Sequence, residues 1–508
     1  MSVAGNTRAR SSMGDATQSG SGLHILILIA AFVFIWTVYP TFTRINLDQY
    51  GDMLENYAWG IGWQWGYFKH PPFFAWTTAA WFEIFPNADW AYYLLSAANA
   101  GLAVFLSWRI AVRFLDPWRS FLAAALFFFL PPVTFLATKF NANAALLPLW
   151  PLTVLFYLRF LENKKLSDAI ILGLVAAIAM LTKYFSAVLL ASIVLHILMD
   201  RQARQLLRRP ATWIAAGVFL AAFAPHVLWL MQMDFLPITY AASQGDGSMV
   251  EGFISGLRFV VAMVLYAAPV GIILYITLIR NRSAGARLLD RSGLRRFTDS
   301  VQGRALLWTT FGSIGVTVIV GILLGTELSS VWALPMFFSL PIFLLAPIAG
   351  NALEVRREVV PVIIGIYCVG LLAAAPIIRY FEDGEEKYYS HLPIAAIADA
   401  LEAAWKQQTD APLMYVAGEK ALSSGASFYG KSRPYAIIEN SFAFTPWIKP
   451  ENLLQSGLAA ACLEGQQDCE AALAAFPVHF EQAETVTVQG ESGKAWTVRL
   501  HIALPAEG

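Results

Sequence analysis

Charge is scarce in this chain of 508 residues: Asp, Glu, Lys and Arg make up 14%, against roughly 25% in an ordinary soluble domain. So few charges cannot cover a water-soluble surface, and they also exclude a disordered chain. A surplus of one sign is missing too, since 35 basic residues balance 35 acidic ones. No positive field is therefore available to gather nucleic acid. Three cysteines exclude a disulfide scaffold and a multi-cysteine zinc domain. GxGxxG, Walker A and HExxH patterns are absent, as is any internal repeat of the transporter type. What the chain has instead is apolar surface. Hydrophobic residues are 57% and aromatic residues 14% of it, which leaves a polytopic α-helical membrane protein.

Residues 1–22 are polar, rich in Ser, Gly and Thr, and read as a disordered cytoplasmic tail. The run 23–40 is longer than the core of a signal peptide and lacks a small-x-small cleavage site, so it reads as a retained first span. Further apolar runs fall near 91–112, 120–136, 144–160, 168–199, 211–233, 256–279, 305–325, 331–349 and 359–378. The run 168–199 is too long for one straight span, and Thr182-Lys183-Tyr184 sits at its middle. The loops 109–119, 159–165, 200–209, 280–304 and 356–357 are basic, whereas 137–143, 234–255 and 326–330 are not. Basic loops stay cytoplasmic. If 168–199 is two short helices turning at Lys183, every basic loop falls inside, giving about eleven spans with the N-terminus in and the C-terminus out. The outside then holds loop 41–90 and a tail, 381–508, that opens on the charged segment 382–387. The alternating segments Leu413–Val416, Tyr435–Glu439 and Thr485–Gln489 make the tail a small α/β domain. Cys462 and Cys469 lie in it, either as a pair or as two buried thiols; Cys368 lies in a span, as packing.

Chemistry concentrates in loop 41–90, beyond the span-bearing remainder of 23–380. Asp48, Asp52 and Glu55 are spaced i, i+4, i+7, which on a helix puts three carboxylates on one face. Crowded carboxylates at a low-dielectric boundary raise one another's pKa, and one so tuned serves as a general base. They also suit a divalent ion, so a metal requirement stays open. The stretch 73–85 is too short to span and suits a helix at the interface. Cations are few on this face: Arg44, Lys69, His70, Lys139 and Lys183. Lys183, at a break between apolar halves, is the first candidate for holding a phosphate, ahead of Lys139, Lys69 and His70. His196 and His226 read as packed histidines.

One apolar span, then Asp48-Gln49-Tyr50, then Tyr67-Phe68-Lys69-His70-Pro71-Pro72, resembles the opening of the protein O-mannosyltransferase-like glycosyltransferases. These have the GT-C fold and include bacterial aminoarabinose and galacturonic acid transferases. Leu181-Thr182-Lys183-Tyr184, Pro225-His226 through Trp229, Asp234-Phe235, Tyr240-Ala241, Ser329 through Pro335, Tyr415 through Glu419 and Ser427-Phe428-Tyr429 extend the likeness over roughly residues 23–440. The resemblance implies that Asp48, the first acid of the loop, activates the acceptor hydroxyl. The commoner pattern places Glu after this Asp and Tyr four places on. Gln49 and Tyr50 depart from it, which makes Asp52 the second candidate. His70 stands where members using an aminoarabinose donor carry Lys.

The resemblance further implies a sugar donor on a polyprenyl phosphate, a lipid-linked or envelope glycan acceptor such as lipid A, and action on the outer face of a bacterial inner membrane. The acceptor hydroxyl attacks the anomeric carbon with inversion, and the phosphate leaves toward Lys183 or a neighbour. Glu55, Tyr50, Tyr67 and Trp332 are candidates for substrate contact. A protein O-mannosyltransferase and a lipid or glycan flippase are the alternatives. A flippase would place charge deep along its spans, and these spans hold almost none.

Overall fold

The computed structural model describes residues 5–243, 247–279, 291–348, 359–382, 389, 391–481, 483–490 and 493–506. The expected basic positions in 280–290 and at 356–357, and the charged run 383–387, lie outside them. Among the described residues, seven helices are long and apolar enough to cross a membrane: Gly22–Thr43, Asp89–Ala111, Ala142–Asn163, Pro210–Gln232, Met249–Ile276, Val301–Leu324 and Val359–Phe381. Four shorter apolar helices accompany them, at Pro117–Phe129, Leu166–Thr182, Tyr184–Met199 and Ser330–Leu345. The first helix begins at Gly5. The polar segment expected to be disordered thus continues the helix nucleated by the apolar run, because extending a formed helix costs far less than starting one.

Helix starts follow local chemistry. Asp116 accepts the Arg119 N–H ahead of Pro117, and Asn141 accepts the Asn143 and Ala144 N–H groups. The run 168–199 breaks at Lys183, whose extended backbone (φ −160°, ψ 134°) separates Leu166–Thr182 from the turn leading into Ala187–Met199.

The C-terminal region carries a five-stranded sheet in the order β2-β1-β3-β5-β4. Its strands are β1 (Tyr415–Gly418), β2 (Tyr435–Ala436), β3 (Leu458–Leu463), β4 (Glu484–Gln489) and β5 (Ala495–Ala503). β1 pairs in parallel with β2 and β3, while β5 runs antiparallel to β3 and β4. Helix Lys420–Tyr429 connects β1 to β2. Cys462 and Cys469 form a disulfide with Cα atoms 5.9 Å apart. One continuous apolar cluster joins this region to the loop after the first span. It contains Leu54, Tyr57 and Trp59 from the loop with Ile394, Leu401, Val416 and Phe428 from the tail. The sheet region is thereby fixed against the acidic segment.

Candidate active site

The acidic segment is shaped by Gly51, whose φ of 71° is a left-handed conformation that favours glycine. The helix starts only after it, at Asp52, and runs to Gly60. Asp48 precedes the helix. Its carboxylate accepts the N–H groups of Tyr50 at 2.9 Å, Asp52 at 3.2 Å and Met53 at 2.8 Å. A first helical turn leaves such donors without partners, so Asp48 caps the turn. The expected face of three carboxylates is corrected accordingly: Asp52 and Glu55 share the helix, and Asp48 reaches the site from the turn before it. Periodicity alone cannot register a left-handed residue that interrupts it.

Lys139, held between a short turn and the Asn141 cap, meets both aspartates. Its Nζ lies 3.5 Å from Asp48 Oδ1, forms an ion pair with Asp52 Oδ2, and stands 4.8 Å from the Tyr50 ring centre. The two acids differ in access. The Asp48 side chain is 2% exposed and that of Asp52 is 37% exposed. Arg44, Asp48, Tyr50, Asp52, Lys139, Asn141 and Asn143 line one cavity of about 630 Å³, closed on its apolar side by Phe135, Val331 and Leu334. Lys183 adjoins it. Its Nζ donates to Asn143 Oδ1 at 2.5 Å and lies 5.2 Å from the Trp332 ring centre. No carboxylate pairs with Lys183 among the described residues.

A second set of ions lies behind the first. Lys69 reaches Glu55 at 3.1 Å and Glu439 at 3.2 Å. Burial acts to lower the Lys69 pKa, but Glu55 and Glu439 together outweigh it and hold the ammonium above the ordinary lysine value. His70 goes the other way: burial first, then the positive charges of Lys183 and Lys69, push it down to about 3. A neutral imidazole carries no positive charge but keeps an N–H donor, and the His70 ring packs edge-on against Trp59 and Phe74. Tyr67 is also displaced. It is fully buried, stacked on Trp59 with ring centres 5.6 Å apart, and does not line the cavity.

Lys420 is the residue that the sequence did not single out. It opens helix Lys420–Tyr429 in the tail, and its Nζ lies 3.3 Å from Glu55 Oε2 and 3.8 Å from Asp52 Oδ1. The recognised segment Tyr415 through Glu419 stops one residue short of it. Neighbouring contacts fix its approach. Asn46 Nδ2 donates to the backbone oxygens of Tyr389 at 2.7 Å and Leu392 at 2.8 Å, and the Tyr389 N–H donates to Gln49 O at 3.2 Å. The Tyr389 hydroxyl donates to Glu419 Oε1 at 2.5 Å, while Glu419 Oε2 caps the helix through Ala421 N–H. Burial raises the Glu419 pKa against these donors.

Asp48, Asp52 and Glu55 each face a lysine. Among the described residues the one group with ligand atoms gathered closely enough for a metal ion is Cys462, Glu470 and His501. Cys462 is already bonded to Cys469.

The chain is similar to several known proteins. Residues 69–229 match the family described as dolichyl-phosphate-mannose-protein mannosyltransferase. The lipid A galacturonosyltransferase RgtD of Rhizobium johnstonii is 24% identical over 213 residues, covering 41% of this chain and 44% of that protein. The lipopolysaccharide core galacturonosyltransferase RgtA of the same organism is 27% identical over 266 residues, covering 48% and 49%. The match therefore spans about half the length of these relatives. The structure of ArnT from Cupriavidus metallidurans bound to undecaprenyl phosphate superposes with a TM-score of 0.61 at 15% identity, covering 95% of this chain and 98% of that one. Its apo form superposes with a TM-score of 0.59 at 14% identity over the same shares. The chain thus shares the fold of ArnT over nearly its whole length, and over a shorter segment it is similar to the mannosyltransferase family and to the two galacturonosyltransferases.

Proposed function

We propose that this protein is a glycosyltransferase that moves a sugar from a polyprenyl-phosphate carrier to a lipid-linked glycan of the lipopolysaccharide or lipid A type, on the outer face of a bacterial inner membrane. The carrying observation is one cavity in which Asp48 and Asp52 meet Lys139, with Arg44 in its wall and Lys183 adjoining through Asn143. An acceptor hydroxyl needs a carboxylate, and a departing lipid phosphate needs cations. Both stand within one side chain's reach of each other. The undecaprenyl phosphate named for the ArnT structure supports a polyprenyl donor, and the names of RgtD and RgtA favour a lipopolysaccharide acceptor over a peptide hydroxyl.

In this reading the accessible Asp52 takes the acceptor proton, and Asp48 holds the turn and anchors Lys139. The acceptor oxygen attacks the anomeric carbon, the bond from that carbon to the phosphate oxygen breaks, and the lipid phosphate leaves with its electron pair toward Lys139, Lys183 and Arg44. A bound donor phosphate competes with Asp52 for Lys139, which frees the carboxylate as the substrate arrives. Single displacement inverts the anomeric configuration. Glycolipid mass spectrometry of a deletion strain tests the proposal. Wild type restores a sugar on lipid A or core, and Asp52→Asn does not. Restoration by neither, with protein present in the membrane, counts against a lipopolysaccharide acceptor.

A further inference from the structure

The sheet of the tail has a topological switch. β1 sits between two parallel partners, β2 on one side and β3 on the other. The chain leaves β1 through helix Lys420–Tyr429 toward β2 but leaves the adjacent β3 through helix Gln467–Ala474 toward β4, on the opposite side of the strand order. Open sheets bind ligands in the crevice that such a divergence creates. Here the crevice exists as a cavity of about 570 Å³. Gly418 ends β1, with φ 111°, and its N–H donates to Asn440 Oδ1 at 2.6 Å. A Cβ at this position would meet Ala461 O of β3 at 2.1 Å, so glycine is what lets the two strand ends close together here. On the far rim Cys469, in the first turn of helix Gln467–Ala474, is bonded to Cys462 of β3. That bond pins the rim to the sheet.

The lining sorts the ligand. The lining carries three acids, Glu419, Glu439 and Asp468, and one cation, Lys420; Lys420 is paired with Glu55 and Asp52, and Glu439 with Lys69. Such a surface repels phosphate. Carboxylates accept hydrogen bonds from hydroxyls, and the amides of Asn440, Gln466 and Gln467 both donate and accept. The set matches a hydroxyl-rich saccharide. The first cavity differs, because Arg44 and Lys139 there balance Asp48 and Asp52, and Lys183 stands beside it. Lys420 connects the two. It lines the crevice and reaches Asp52, which lines the first cavity, at 3.8 Å. One ion pair thus links the linings of the two cavities.

We infer that the crevice at the carboxyl ends of β1 and β3 is a saccharide subsite, holding the sugar head group of the acceptor on the far side of Lys420 from the donor phosphate. This rests on the transferase reading above. It gives the tail a direct part in choosing the acceptor, and it places the acceptor's reacting hydroxyl at the wall where Asp52 stands.

The test uses the full chain in lipid nanodiscs, with lipopolysaccharide core oligosaccharide freed of its acyl chains as probe. Saturation-transfer NMR shows binding to wild type. Gln467→Ala, an exposed polar position, and Ala472→Trp, which fills the crevice, weaken it at least tenfold, about 1.4 kcal/mol. In transfer assays both variants raise the acceptor KM by a similar factor and change kcat little. Unaltered binding of undecaprenyl phosphate alone shows that the variants are folded. Variants that match wild type in oligosaccharide binding and acceptor KM, while wild type still transfers sugar, overturn the subsite and leave the transferase reading standing. Failure of wild type to transfer from any polyprenyl-phosphate sugar overturns both.

Discussion

Lys420 lies 3.3 Å from Glu55, although one belongs to the sheet-bearing tail and the other to the loop after the first span. The Glu55 side chain is 5% exposed. A carboxylate so enclosed requires cations, and it takes one from each part of the molecule, Lys69 and Lys420. Removing Lys420 leaves Glu55 half compensated and opens the wall beside Asp52. Lys420→Met is expected to lower sugar transfer at least tenfold and stability by about 1–2 kcal/mol. Lys420→Arg keeps the charge and is expected to restore most of the activity. Transfer assays with thermal melts of the purified protein check this. Full activity in the Met variant counts against a tail contribution to the site.

The two aspartates are expected to fail differently. Asp52→Asn removes an accessible carboxylate that accepts no backbone N–H, so kcat falls by about 10²–10⁴ with the melting temperature little changed. Asp48→Asn keeps one acceptor oxygen but replaces the other, which also accepts an N–H, with an NH2 group that cannot. The turn then loses about 1 kcal/mol as well as activity. Kinetics and melts on the same preparations separate base from cap. The reverse pattern would return the base to Asp48.

Much of this site was legible in the sequence, for a definite reason. A lysine amid apolar residues has few inexpensive placements, so Lys183 announced a break and a polar neighbour. The same scarcity marked Lys139 and Lys69. What stayed hidden was set by geometry that spacing does not carry. Gly51 moved Asp48 off the helix, Trp59 absorbed Tyr67 as a stacking partner, and Lys420 was delivered by a sheet. That sheet was itself only partly visible. Tyr435–Ala436 falls in a segment read as a strand and Glu484–Gln489 starts one residue before another, but β3, Leu-Ala-Ala-Ala-Cys-Leu, was not singled out. Alanine favours helices locally, yet here small side chains suit a strand buried between β1 and β5, where tertiary packing decides.

His70 makes acid sensitivity predictable in sign. Its pKa falls from 6.5 to about 3 on folding. Between those values the unfolded chain binds a proton that the native state does not, so stability falls as pH drops through this window and is unaffected by His70 above it. Melting temperature is expected to decline below about pH 6.5, and more steeply for wild type than for His70→Asn. Parallel slopes would show that His70 is not held neutral by its surroundings.

The Cys462–Cys469 bond turns topology into a chemical count. The chain has three cysteines, and Cys368, in helix Val359–Glu382, is a free thiol. A disulfide persists in an oxidising compartment and is rare in a reducing cytosol. If the tail faces outward, protein from native membranes that is unfolded without reductant carries one alkylatable thiol, and three after reduction. Peptide mass spectrometry should place the single label on Cys368. Three labels before reduction would put the tail on the cytoplasmic side. Asp52 and Glu55 would go with it, because Lys420 of the tail is their ion-pair partner, and the outward-facing active site would be lost with one measurement.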